Sequence, residues 1–140
     1  MEAWAIEFLD LWQSNRVRIA EAVRDSVQRN TFMPVKGYTV DDLLQMVDGV
    51  TAMIREELEG TGSDVRDTYM NAVIPGLLAQ GEPLSGMVGQ TTMNAVVVHG
   101  LIAPQASEKH RDQISTFLTN WYSKFNLDIV KVGLESGAAG

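Results

Sequence analysis

His99 is the residue whose chemistry stands out, because it closes the apolar run Ala95-Val96-Val97-Val98 and is expected to be desolvated. An imidazole so placed could ligate a haem iron or hydrogen-bond a buried ligand. It could equally be a neutral core side chain bonded to a carbonyl or hydroxyl. Thr91, Ala95 and His99 recur at i, i+4 and i+8, and Asn94 lies beside them. One helix face is therefore expected to present a hydroxyl, an amide and an imidazole. A few polar groups in an apolar wall are how ligand pockets fix orientation. With Tyr69 and Trp121, these three are the predicted contacts to a small apolar ligand. Met46, Met53, Met70, Met87 and Met93 would give such a cavity an adaptable lining.

Other chemistry is poorly represented. His110 lies in the charged stretch Glu108-Lys109-His110-Arg111-Asp112 and is expected to face solvent. Two His, no Cys and scattered carboxylates predict no metal site. Ser85 sits in Leu-Ser-Gly-Met, which is not the Gly-x-Ser-x-Gly elbow of a nucleophile. Gly81, Gly86 and Gly89 follow no strand, so they predict no phosphate loop. A non-enzymatic protein without a cofactor is the expectation.

Trp4, Phe8 and Trp12 form an aromatic series at i, i+4 and i+8. They suit a core, or the centre of a homodimer contact, where aromatics are enriched. Trp121 and Tyr122 point about 100° apart on a helix, so one can face the core and the other a partner. The predicted dimer set is Trp4, Phe8, Trp12, Tyr122 and Phe125.

The elements that must position these residues are helical throughout. The 140 residues fit one domain, 1–135, with a small-residue tail at 136–140. The chain is 45% hydrophobic and 21% charged, with a net charge of −7 that disfavours nucleic acid. The N-terminus lacks a basic segment and no apolar run reaches the roughly 20 residues of a membrane span. A cytoplasmic protein with no membrane contact is expected. Periodicity predicts five helices: about 2–30, from Thr39 to about 58, from Ser63 to Gly81, from Pro83 to about 103, and from Ser107 to near 134. Val65, Tyr69, Ala72, Val73 and Leu77 should line the buried side of the third, and Pro75 should kink it. The long first and last helices are expected to cover the charge-poor third and fourth. Between Thr68 and Ser107 the only formal charge is Glu82, whereas 41–67 holds eight carboxylates against Arg55 and Arg66.

The long first helix with Trp, the Tyr-Thr-Val-Asp-Asp-Leu-Leu start of the second and the Gly-Glu-Pro-Leu-Ser-Gly-Met-Val turn form one series. With Thr-Asn-Trp-Tyr in the last helix, it resembles the N-terminal sensor modules of RsbR-type stressosome regulators. That resemblance implies an all-α globin-like bundle without haem, homodimeric, acting in bacterial stress signalling. The family usually continues into an output domain, whereas only a short tail follows Leu134 here, so either a stand-alone paralogue or a module with a signalling partner in trans is expected. A haem or tetrapyrrole sensor globin using His99 is the alternative. Residues 75–90 hold no His where a proximal ligand would be expected.

Overall fold

Asn15 divides the stretch expected to be a single first helix. Its side chain is buried, donates to the Leu11 carbonyl at 2.8 Å and accepts from Gln105 Nε2 at 2.9 Å. An amide that hydrogen-bonds nearby backbone offers the chain an alternative to continued helix. At Asn15 the backbone sits at φ −103°, ψ 10°. Two helices result, α1 (Ala3–Ser14) and α2 (Arg16–Arg29). The computed structural model describes residues 1–33 and 37–137. Among these the fold is all-α, with six helices and no strand. Pro34, expected to end the first helix, and the last residues of the tail, 138–140, lie outside the described residues.

The second predicted helix is α3 (Val40–Glu59). Thr39 Oγ1 accepts from the Asp42 N–H at 3.1 Å and Asp42 Oδ2 accepts from the Thr39 N–H at 2.8 Å. This is a capping box with Asp in the place of Glu. Gly60, at φ +68°, ends the helix in the left-handed conformation.

Helix α4 spans 64–79 and contains a wide turn over Tyr69–Val73, where the Ile74 N–H bonds the Tyr69 carbonyl. Pro75 has no N–H to give the Asn71 carbonyl, and the chain absorbs that defect in the wide turn upstream rather than in a sharp kink. One extra residue in a turn rotates all downstream side chains by about 100°. The buried side is thus carried by Met70 and Ile74, while Ala72 and Val73, expected inside, are exposed. Ser63 does not cap the backbone as expected. Its hydroxyl bonds Asp67 Oδ2, and the Glu56 carboxylate takes the Val65 N–H. At the other end Gly81, at φ +92°, lets the Glu82 N–H reach the Leu77 carbonyl and its own N–H reach Leu78.

Pro83 immediately precedes α5 (Leu84–Ile102), and Pro104 lies in the single 3-10 turn after it. Helix α6 (Arg111–Glu135) starts four residues after Ser107, the residue expected to cap it. Ser107 instead gives both its N–H and its hydroxyl to the Glu7 carboxylate, at 2.8 and 2.7 Å. His110 is correspondingly half-buried rather than free in solvent, with Nδ1 at 3.1 Å from the same carboxylate.

Helix α5 lies between α2 and α6, and α3 packs on the far side of α2. The core joins all these layers through Phe8, Trp12, Ile19, Ile54, Val98 and Ile114. No helix among the described residues is long and apolar enough to cross a membrane.

Candidate functional site

The candidate site is α5, because its 19 residues carry no Asp, Glu, Lys or Arg. Its polar side chains divide between two sides. Toward α2, Gln90 Nε2 donates to Ser26 Oγ at 2.8 Å and to Asn94 Oδ1 at 2.7 Å. Asn30 Nδ2 donates to Gln90 Oε1 and to the Gly86 carbonyl, each at 3.2 Å. These groups satisfy one another inside the interface, so their hydrogen bonding joins helices. Thr91 is buried and its hydroxyl bonds the Met87 carbonyl one turn back, at 3.0 Å.

Toward α6, His99 Nε2 shares a hydrogen bond with Ser115 Oγ. Earlier along α5, Thr92 Oγ1 accepts from Asn126 Nδ2 of α6 at 3.0 Å. Thr92, His99 and Asn126 line a groove of about 500 Å³ between α5 and α6, together with Ala95, Val96 and Ser123. The expected single face of Thr91, Asn94 and His99 is therefore corrected. Asn94 and His99 are five residues apart, about 140° around a helix, and they serve opposite neighbours.

Tyr69 and Trp121 belong to a third place. Trp121 stacks on Phe125 with ring centres 5.0 Å apart, and Tyr122 meets its edge at 5.0 Å. Tyr69 lies 5.5 Å from the Phe125 ring. The Arg66 guanidinium sits 5.5 Å from the Trp121 ring centre and pairs with Asp128 at 2.7 Å. Arg66 Nη1 and Trp121 Nε1 are buried without a hydrogen-bond partner, so ring-face attraction supplies part of what holds the cation there. Burial pushes the Tyr69 and Tyr122 hydroxyls up from their ordinary range, keeping both neutral.

The predicted dimer residues lie mostly inside the chain. Phe8, Trp12, Tyr122 and Phe125 are buried, and Trp12 Nε1 donates to Thr51 Oγ1 at 2.6 Å. Trp4 is half-buried against Phe117, 5.5 Å between rings. Sequence reasoning missed instead Val96 and Leu127, each 68% exposed. For Val96 the signal was present: four consecutive apolar residues, 95–98, wrap right round a helix and cannot all face one core.

Chemically, Ser115 and His99 have the first contact of a nucleophile and base. Both sit inside helices, where backbone N–H groups are already used by the helix and none is left to receive an oxyanion. Among the described residues no three His, Asp or Glu side chains gather as metal ligands. No protein-family model, no curated protein and no solved structure matches this chain.

Proposed function

We propose that this chain is a non-enzymatic helical interaction module, and that its contact surface is the uncharged outer face shared by α5 and α6. The observation that carries this reading is the 68% exposure of Val96 in the wall of a groove between helices with no charge from Leu84 to Ile102 and from Gln113 to Ser123. Isolated apolar residues on a surface are ordinary, but a neutral two-helix face with a recess is the form of a docking site. The groove is open to solvent rather than enclosed, which suits a partner's side chains better than a fully buried small ligand. The resemblance to RsbR-type sensor modules supports the same reading, a globin-like signalling domain that works by binding.

A photo-crosslinking amino acid placed at Val96 in cells tests the proposal, with the same group at Glu57 of α3 as reference. Covalent protein adducts at Val96 and none at Glu57 are expected. Equal labelling at both positions, or none at Val96, rejects α5–α6 as the contact face.

A further inference from the structure

Away from the α5–α6 face, we infer that a recess between α1 and the start of α6 binds a small alkylated ammonium ion. The recess holds about 380 Å³ and is lined by Trp4, Asp112, Gln113, Thr116 and Phe117. Two aromatic rings wall it and an exposed carboxylate, Asp112, stands at its rim. That combination receives a cation whose charge is wrapped in methyl groups.

The two rings are held from within. Trp12, Phe8, Phe117 and Trp4 form an unbroken aromatic chain, with ring centres 5.7, 5.3 and 5.5 Å apart in that order. Trp12 and Phe8 are buried, whereas Phe117 and Trp4 are half-buried and reach the surface. Those last two planes meet at 50°, so they make a corner rather than a flat stack. Trp4 Nε1 donates to Glu2 Oε2 at 3.1 Å, which sets a second carboxylate at the edge of the indole. A cation entering the corner meets rings already oriented by packing, so little is lost in ordering them.

Charge decides between a cation and an uncharged guest. The N-terminus of α6 alone would repel a cation. Asp112 in its first turn reverses that sign, and it forms no ion pair among the described residues. No Lys, Arg or His lines the recess. The neighbouring Arg111 guanidinium is committed to the Ala103 and Ala106 carbonyls. Aromatic walls also select the kind of cation. An ammonium with free N–H groups keeps them best satisfied in water, whereas a quaternary one has none to lose.

The indole N–H resonances test this directly, because Trp4, Trp12 and Trp121 are the three Trp of the chain. Choline, titrated at constant ionic strength, is expected to move the Trp4 signal saturably, with a dissociation constant on the order of millimolar. Trp12 and Trp121 should stay in place. The uncharged carbon analogue of choline, which has the same shape, should bind at least about fivefold more weakly. Asp112→Asn should weaken choline about two- to fivefold. Trp4→Leu, followed by the backbone amides of Asp112 and Phe117, should weaken it about fivefold or more. Far-UV circular dichroism should be unchanged in both variants. Flotation on phosphatidylcholine vesicles that Trp4→Leu abolishes makes the source a lipid headgroup; choline binding without flotation makes it a free ion. A Trp4 signal that never saturates overturns the inference. So does equal affinity for the uncharged analogue, or full affinity retained by both variants.

Discussion

Helices α3 and α5 are nearly equal in length, 20 and 19 residues, and are built on opposite principles. Helix α3 carries its own instructions: a capping box at Thr39, a left-handed glycine at its end, a stripe of Leu43, Val47 and Ile54 inward, and carboxylates outward. Helix α5 has no side-chain cap and no charged residue, and depends on α2 and α6 for almost everything that holds it. Helix α3 turns its free side to water with carboxylates, whereas α5, packed between α2 and α6, leaves its third side neutral. That third side is the groove.

The largest test of this contrast is Val98→Asp. Val98 is fully buried in the core, and an unpaired carboxylate there should cost more than about 4 kcal/mol, enough to abolish cooperative urea unfolding. Gln90→Ala should cost about 1–3 kcal/mol, because Ser26, Asn94 and Asn30 would lose a buried partner; chemical denaturation measures it. Thr39→Ala removes only a cap from the self-sufficient helix, and about 1 kcal/mol is expected by the same measurement.

The smallest effect concerns Glu7, whose carboxyl is held down at about 2 from an ordinary 4.5 by the Ser107 hydroxyl, the Ser107 N–H and His110. A carboxyl depressed by folding contributes stability above its unfolded value and loses it as pH falls toward the folded one. The wild type should therefore lose stability between about pH 4.5 and 2 more steeply than Glu7→Gln. Parallel acid-unfolding curves for the two proteins would show that this carboxylate contributes nothing.

All of α3 was legible in the sequence, since Thr39, Asp42 and Gly60 act on residues a few positions away. The all-helical class was legible for the same reason, through periodicity. The Glu7–Ser107 bond joins residues 100 positions apart, and neither residue type announces such a partner. That the first predicted helix would break at Asn15 depended on Gln105 from another element. Pro75 predicted a defect, not where it would be absorbed. The scatter of Thr91, Asn94 and His99 is different. A helical wheel places Asn94 and His99 about 140° apart, so their separation was available in the spacing itself.

The wide turn at Tyr69–Val73 has a consequence for the chain's history as well as its shape. It sets the two halves of α4 out of phase by one residue, so each half aims its side chains independently. Arg66 lies in the first half, Ile74 and Leu77 in the second. Removing one residue between 69 and 73 would re-index the first half, swinging the Arg66 guanidinium away from Trp121 and Asp128. Descendants of this gene should tolerate changes of residue type in that turn more readily than changes of its length.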